Sequence, residues 1–226
     1  AIRGVSGGRV SLAVESTAKY FAPRLLAEFS RRHPGVTVKL SVTNREQVIG
    51  ELQANQVDLA IMGRPPRGLD VDATAFAKHP HGILAPPDHP LAHKKRIPLV
   101  RLQEETFLVR ESGSGTRIAM ERFFNERGMR LKTGMEVGSN EAIKQSVQAG
   151  LGLGLLSRVT IEQELALKRL AVLDVADLPI MRHWYVVHRR GKRLSAVAEA
   201  FKQFVLKETA GLMDQEPHAP SRNKKR

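Results

Sequence analysis

Apolar and polar positions along the first sixty residues alternate between strand-like and helix-like periods. Residues 9–14 and 36–42 alternate apolar with polar side chains, which predicts two half-buried strands. Residues 18–32 and 45–54 carry apolar side chains at helical spacing, and 57–63 form a short apolar run typical of a strand buried in a parallel sheet. The pattern predicts a βαβαβ unit with right-handed crossovers.

The alternation breaks after residue 63 and returns near residue 106. In between, the chain predicts two extended pieces, 74–77 and 82–85, and a basic loop over 86–98. The later part predicts, in order, a strand, loop and helix over 106–127, strands at 135–138, 151–156 and 184–188, and an amphipathic helix over 194–205. The glycines within 151–156 indicate close packing against another backbone or a ligand. Two βαβ-type units separated by extended segments predict an α/β fold with two lobes and a cleft.

The loop at 111–117 reads Glu-Ser-Gly-Ser-Gly-Thr-Arg and lies between a predicted strand and a predicted helix. Its glycines can adopt positive φ, and Ser114 or Thr116 can cap the helix. The helix N-terminus is the positive end of the helix dipole, and Arg117 adds a full charge. The loop therefore predicts a seat for phosphate, carboxylate or sulfate, with a capped turn that binds nothing as the alternative.

Other polar residues follow predicted strands. Ligands of open α/β sheets bind beyond the carboxyl ends of the strands. Besides the loop at 111–117, three such ends carry candidate residues: Ser16 with Thr17, Gly63 with Arg64, and Ser139 with Asn140.

Composition narrows the possible partners. The chain has 226 residues, enough for one or two domains, and a net charge of +13 that favours anionic ligands or nucleic acid. Aromatic residues make up only 5%, which argues against a stacking surface for single strands. There are no cysteines, which excludes disulfides and thiolate chemistry, and no apolar run long enough to span a membrane. The absence of an export signal favours the cytoplasm.

Metal and enzyme chemistry find little support. The paired histidines His79 and His81, then His89 and His93, lie beside prolines and are expected to be solvated loop residues. No serine lies in a nucleophile elbow with an identifiable base, so we expect no catalytic residue, no metal and no cofactor. Trp184 is expected to belong to the core.

Several segments together resemble a known family. They are residues 8–14, 29–35, 57–61, 88–92 and 139–152, and their order and spacing resemble the effector-binding domain of LysR-type transcriptional regulators over about 4–212. Stretches 17–29, 61–67 and 111–117 are most similar to the regulators of Calvin-cycle operons, a subgroup called CbbR.

The resemblance implies the architecture. It implies an α/β fold of two Rossmann-like subdomains joined by crossing strands, similar to a type 2 periplasmic binding protein. Subdomain I is expected at 1–79 plus 181–212 and subdomain II at 80–180, with the crossings near 78–81 and 180–182. Residues 213–226 are expected to be a disordered basic tail. The family's N-terminal winged helix-turn-helix is expected to be missing from this chain.

The resemblance also implies a ligand in the cleft between the subdomains. The expected ligand is an anionic metabolite: a sugar phosphate, a phosphorylated acid or a nicotinamide dinucleotide. The matching positions are Ser16, Thr17, Thr43, Gly63, Arg64, Arg110, Ser112, Ser114, Gly115, Thr116, Arg117, Ser139 and Asn140. The implied function is metabolite sensing that controls transcription of carbon-fixation genes. The alternative is a periplasmic-type solute-binding protein for a small anion, on the same fold.

Assembly is implied in the same way. The domain is expected to form an antiparallel homodimer, in which the helix at 18–32 and the strand at 36–42 face the partner's helix near 120–127. The full-length protein is expected to be a homotetramer that contacts DNA only through the missing N-terminal domain. No membrane partner is expected.

Overall fold

The computed structural model describes residues 5–213 as alternating strands and helices. The strands are β1 (Gly8–Glu15), β2 (Val36–Thr43), β3 (Leu59–Met62), β4 (Val71–Ala85), β5 (Thr106–Arg110), β6 (Lys132–Val137), β7 (Gly154–Ser157), β8 (Ala171–Val172) and β9 (Ile180–Arg189). The helices are α1 (Ala22–Arg32), α2 (Arg45–Gln53), α3 (Gly115–Glu126), α4 (Asn140–Gln148), α5 (Glu162–Ala166) and α6 (Ala196–Met213). Short 3₁₀ turns cover Ser16–Tyr20, Leu99–Glu104 and Arg158–Thr160.

The first βαβαβ unit forms a parallel arrangement of three strands. β1 lies between β2 and β3 and is parallel to both. β3 consists entirely of buried residues, as its unbroken apolar sequence predicts for a strand covered on both faces. This parallel geometry brings the carboxyl ends of β1, β2 and β3 to one edge of the sheet.

Two long strands continue this sheet beyond the first unit. β4 and β9 pair antiparallel from Val71–Arg189 to His81–Ile180. The prediction of two separate extended pieces at 74–77 and 82–85 is wrong, because β4 continues through Pro80. At that residue β4 pairs with β9 and not with β7, so Pro80 has a neighbouring strand on one side only, a position at which sheets tolerate proline.

The hydrophobic core falls into two groups of clusters. Buried members of one group come from residues 10–71 and 184–205. Buried members of the other come from residues 83–175. We use lobe I for residues 5–79 and 181–213, and lobe II for 80–180, following the predicted division. β4 and β9 pass from one lobe to the other.

In lobe II, β5 pairs in parallel with β6, and its other edge meets the segment before β7. The backbone N–H of Leu153 donates to the carbonyl of Thr106 at 2.9 Å. A Cβ on Gly152 would lie 2.7 Å from that same carbonyl oxygen, so only glycine permits this approach. The close packing predicted from the glycines is confirmed, although the strand begins at Gly154 rather than at residue 151.

The expectation of solvated loop histidines fails for two of the four. His79 and His81 lie in β4 and are buried, because this strand crosses the centre of the molecule. His93 is exposed, and His89 is half-buried beside Glu105. Trp184 is fully buried, as predicted. Met213 ends α6, and the rest of the predicted tail, residues 214–226, lies outside the described residues.

Within residues 5–213, no helix combines the length and the apolar composition needed to cross a membrane.

Candidate functional site

A cavity of about 310 Å³ lies between the lobes, at the carboxyl ends of β1, β2 and β5. We call it the interlobe cavity. Of the predicted ligand residues, it brings together Ser16, Thr17, Thr43, Arg110, Ser112, Ser114, Gly115 and Thr116. Residues from the ends of several strands therefore converge on one space, as expected for an α/β fold.

Two helices direct their N-termini at this cavity. In α3, the Ser114 hydroxyl accepts a hydrogen bond from the Arg117 N–H at 3.4 Å, which settles the choice of capping residue in favour of serine. In α2, the Asn44 side chain accepts from the Gln47 N–H at 2.9 Å. Both caps line the cavity, so the positive ends of two helix dipoles face the same volume.

Three arginine side chains add formal charge to the cavity wall. Arg45 lies 3.5 Å from the Glu15 carboxylate, and Arg110 lies 2.6 Å from the Glu111 carboxylate. Arg182, on β9, is different: within residues 5–213 no acidic side chain forms an ion pair with it. Arg182 is therefore the arginine of the cavity wall that has no ion-pair partner among the described residues.

The position of Arg182 is fixed by close contacts from both lobes. Its guanidinium donates to the carbonyl of Gly115 at 3.4 Å. A Cβ on Gly63 would lie 2.8 Å from the same guanidinium, so a side chain at position 63 would displace it. Burial lowers the pKa of Arg182, an effect that the Glu15 charge opposes and the Arg45 charge reinforces. Arginine stays protonated under such shifts, so a half-buried positive charge lines the cavity.

A chain of side-chain hydrogen bonds joins the lobes beside the cavity. Asn140, at the start of α4, donates to the Thr17 hydroxyl at 3.1 Å and accepts from the Arg110 guanidinium. Asn140 does not line the cavity itself, but it positions two residues that do. Next to it, the Tyr20 hydroxyl donates to Glu141, and burial, followed by this bond, raises the pKa of Tyr20 to about 12.

Four further predicted ligand residues also lie outside the cavity lining. They are Gly63, Arg64, Arg117 and Ser139. Arg117 pairs with Glu121 on α3 at 2.8 Å and with Glu136 on β6 at 2.9 Å. Those two hydrogen bonds raise its pKa and occupy its guanidinium.

The other three residues have different local roles. Arg64 donates to the Tyr185 hydroxyl at 3.0 Å and lies over its ring. Ser139 caps α4 by accepting from the Ala142 N–H at 3.1 Å. Gly63 donates its N–H to Glu15 at 3.2 Å and leaves room for Arg182.

Nine residues of the cavity wall were not among the predicted ligand residues. They are Glu15, Asn44, Arg45, Glu46, His79, Glu111, Gly113, Gly138 and Arg182. Arg182 and His79 lie on the crossing strands, opposite each other in the β4–β9 register. Arg182 is a charged residue in a largely apolar strand that crosses between the lobes. That combination is a sequence signal from which its place in the cavity wall could have been predicted.

The buried histidines predict a pH-dependent stability. The rings of His79 and His81 lie 4.4 Å apart. Burial lowers the pKa of His79 well below 6.5 and that of His81 to about 3, and the Arg182 charge adds to both effects. In the unfolded chain both residues titrate near 6.5, so the unfolded state binds more protons below that pH.

We therefore expect the two histidines to cause no change in the free energy of unfolding above about pH 7. Below pH 6.5 the free energy of unfolding should fall as the pH is lowered. The expected slope approaches about 1.4 kcal/mol per pH unit for each histidine. Urea unfolding at pH 7.5, 6.0 and 5.0 measures it. A His81→Gln variant should show about half the slope, whereas the exposed control His183→Gln should keep it. Equal slopes in all three proteins would contradict the assignment.

Comparison with known proteins places the chain among regulators. A family model for the LysR substrate binding domain matches residues 3–210. A protein of Allochromatium vinosum named RuBisCO operon transcriptional regulator is 55% identical over 209 residues, which are 92% of this chain and 69% of that protein. The HTH-type transcriptional regulator CbbR of Sinorhizobium medicae is 47% identical over 207 residues, 91% of this chain and 66% of that protein. The chain thus spans about two thirds of the length of these relatives.

Solved structures agree with the sequence comparison. The regulatory domain of CcmR from Synechocystis PCC6803, solved in complex with 2-PG, has a TM-score of 0.85 and 43% identity, and the match covers 89% of this chain and 97% of that one. The effector-binding domain of QuiR in complex with shikimate has a TM-score of 0.81 at 22% identity over 91% and 99% of the two chains, a likeness of fold. These similarities confirm the predicted α/β fold of the type 2 periplasmic-binding-protein kind.

Proposed function

Because this chain belongs to the LysR family, as the substrate-binding domain of a transcriptional regulator, we propose that its interlobe cavity binds a small phosphorylated carboxylic acid. The resemblance to the family and to its carbon-fixation regulators is confirmed. The relatives are named as regulators, so the domain is a sensor rather than an enzyme. The same names give no support to the alternative of a transport-type solute-binding protein.

The observation that carries the proposal is the half-buried Arg182 guanidinium beside the N-terminus of α3. It is a cation without a carboxylate partner among the described residues, and it contacts the first residue of a capped helix. A phosphate group placed there gains hydrogen bonds from backbone N–H groups and a bidentate contact from the guanidinium. The relative that was solved in complex with 2-PG supports a phosphorylated ligand.

The lining selects among the three expected ligand classes. None of the residues that line the cavity is Phe, Tyr or Trp, and the His79 ring already stacks on Trp184, so the two ring systems of a nicotinamide dinucleotide find little aromatic surface. The cavity wall also carries the guanidinium groups of Arg45 and Arg110, each beside a carboxylate partner. These two groups favour a ligand with a second anionic group, and therefore a phosphorylated acid over a simple sugar phosphate. A ligand carboxylate can compete with Glu15 or Glu111 for these guanidinium groups.

Ligand binding can change the angle between the lobes because both lobes supply residues to the cavity wall. Arg45 and Arg182 belong to lobe I, whereas Arg110 and the N-terminus of α3 belong to lobe II. A ligand that contacts all of them favours the interlobe angle at which the contacts are shortest, and it shifts the population by its differential affinity for the two arrangements. In the full-length protein we expect this shift to change how DNA-binding modules are presented at carbon-fixation genes.

The test is calorimetric titration of the 226-residue chain with 2-phosphoglycolate, 2-phosphoglycerate, ribulose 1,5-bisphosphate, NADPH, glycolate and inorganic phosphate. We expect one of the phosphorylated acids to bind most tightly, and glycolate and phosphate alone to bind much more weakly. At 100 times its dissociation constant the ligand should stabilise the fold by about 2.7 kcal/mol. If NADPH binds most tightly, the ligand belongs to the dinucleotide class. If inorganic phosphate binds as tightly as the phosphorylated acids, the cavity binds anions without selecting among them.

We also propose that the domain forms the antiparallel homodimer that the family implies. Three large apolar side chains support it, because Val42, Ile118 and Met135 are 44%, 50% and 53% exposed. They lie on β2, α3 and β6, the elements expected to face a partner copy or to adjoin that face.

Sedimentation of the 226-residue chain should therefore show a dimer, and Ile118→Asp should convert it to a monomer without lowering the unfolding temperature by more than a few degrees. Val100→Asp serves as the control, because Val100 is 60% exposed and lies in the 3₁₀ turn Leu99–Glu104, outside the elements expected to face a partner copy. A dimer that persists in Ile118→Asp would place the interface elsewhere.

A further inference from the structure

The cleft between the lobes has two flanks, because each lobe carries helices on both faces of its strands. In lobe I, Leu12 on β1 packs in the cluster that contains α1, and Ala13 packs in the cluster that contains α2. In lobe II, Phe107 on β5 packs in the cluster that contains α3, and Leu108 packs in the cluster that contains α4. We use α1–α4 flank for the side where the turn before α1 meets α4, and α2–α3 flank for the side where α2 and α3 begin.

Polar contacts cross from lobe to lobe on the α1–α4 flank. The Tyr20 hydroxyl of lobe I donates to the Glu141 carboxylate of lobe II. The Lys144 ammonium lies 5.2 Å from the centroid of the Tyr20 ring, within range of a cation–π contact. One turn earlier, the Asn140 side chain donates to the Thr17 hydroxyl at 3.1 Å. These contacts tie the turn that precedes α1 to the first residues of α4.

A buried lysine anchors the lobe II side of these contacts. Lys144 is 2% exposed, and its ammonium donates to the Thr160 carbonyl at 2.8 Å. The same ammonium lies 2.8 Å from the Glu141 carboxylate and 2.6 Å from the Glu164 carboxylate, so its three N–H donors have three acceptors. Val159, beside Thr160, packs against the lobe I core. Lobe II therefore holds Glu141 in the position at which it accepts the hydrogen bond from lobe I.

The α2–α3 flank lacks comparable contacts. Among the residues that the structure describes, no side-chain hydrogen bond or ion pair joins 43–46 to 111–115. The bond from Arg182 to the Gly115 carbonyl reaches this flank, but it starts on β9, a strand that passes through both lobes. A rotation that opens the α1–α4 flank therefore breaks several contacts, whereas a rotation that opens the α2–α3 flank leaves them intact.

We propose that the contacts of Tyr20 and Asn140 form a clasp that restricts the interlobe angle, and that Tyr20 is thereby a positioning residue for the ligand of the interlobe cavity. With the clasp in place, the lobes open and close on the α2–α3 flank. Without it, the lobes sample a wider range of angles, and only a fraction of molecules presents both walls at the binding spacing. The dissociation constant rises by the inverse of that fraction. This effect on affinity rests on the proposed function, whereas the restriction of the angle does not.

The interlobe angle is measurable with two spin labels, because the chain has no cysteine. Gln53→Cys on α2 and Val100→Cys place one exposed label in each lobe, outside the elements expected to face a partner copy. Double electron–electron resonance, on labelled protein diluted into unlabelled protein with no ligand added, gives the distribution of distances between the labels. Tyr20→Phe should make this distribution about twice as wide, because it removes the bond and keeps the ring. Tyr185→Phe is the matched control, since the Tyr185 hydroxyl accepts from Arg64 within lobe I, and it should leave the distribution unchanged.

Calorimetry measures the consequence for binding. Tyr20→Phe should raise the dissociation constant of 2-phosphoglycolate about three- to tenfold, and Tyr185→Phe should change it less than about twofold. Glu141→Gln weakens the same bond from the other lobe and should act in the same direction as Tyr20→Phe, in both measurements.

The outcomes separate the clasp from the proposed function. An unchanged distance distribution in Tyr20→Phe and Glu141→Gln, or equal widening in Tyr185→Phe, would overturn the clasp. An unchanged dissociation constant in a variant with a widened distribution would overturn the link between the clasp and the interlobe cavity. If 2-phosphoglycolate and the other phosphorylated acids do not bind to the wild type, the proposed function fails, and the distance measurement still decides the clasp.

Discussion

Replacing Arg182 with glutamine is expected to weaken binding of 2-phosphoglycolate by roughly 30- to 5,000-fold, the equivalent of about 2–5 kcal/mol. The reason is that Arg182 is the half-buried cation of the interlobe cavity that has no ion-pair partner in the described part of the chain. Glutamine keeps some hydrogen-bonding capacity but removes the charge that compensates the phosphate. Isothermal titration calorimetry of the variant and the wild type measures the change.

Arg117→Gln is the matched control. The sequence makes Arg117 as good a candidate as any other arginine, but its guanidinium is engaged by Glu121 and Glu136 outside the cavity lining. We expect a change of less than about threefold, in line with the small energies of exposed ion pairs. A loss in Arg117→Gln equal to that in Arg182→Gln would mean that the anion binds along α3 and not at the crossing strand.

Replacing Trp184 with alanine is expected to lower the free energy of unfolding by about 3–5 kcal/mol, the usual cost of removing a fully buried large aromatic side chain. Trp184 is 0% exposed, its ring lies 5.2 Å from that of Phe21, and it stacks on His79. It also joins the lobe I core to the crossing strands. Because the variant loses the only tryptophan, urea unfolding should be followed by far-ultraviolet circular dichroism.

An exposed apolar residue provides the comparison for this stability change. Val100 is 60% exposed, so Val100→Ala should change the free energy of unfolding by less than about 0.5 kcal/mol. If Trp184→Ala costs less than about 1 kcal/mol, the crossing strands contribute little to the core. The two lobes would then be stable without the packing at their junction.

Much of the secondary structure was accessible from the sequence. The strand predicted at 9–14 is β1 at Gly8–Glu15, and the helix predicted to end near residue 127 is α3, which ends at Glu126. The serine cap of α3 was one of two predicted alternatives. These features depend on periodicity and on contacts between residues a few positions apart, so a single sequence contains the information.

The crossing strands were the least accessible part of the fold. Pro80 and the histidines around it have the composition of a solvated loop, yet β4 continues through them because β9 pairs along its length. Burial of His79 and His81 results from that pairing and from the packing of both lobes around it. Neither cause has a local signal in the sequence, because the partner strand lies about a hundred residues away in the chain.

The sequence by itself determined the family, the α/β fold, the capped loop at 111–117 and many of the residues that meet at the interlobe cavity. Only the tertiary structure decided which arginine lines that cavity without an acidic partner. Arg117 finds its acidic partner four residues away on the same helix, whereas Arg182 reaches Gly115, 67 positions away, and finds no carboxylate among the described residues. Which charge remains unpaired depends on contacts between segments distant in the chain, and those contacts exist only in the folded protein.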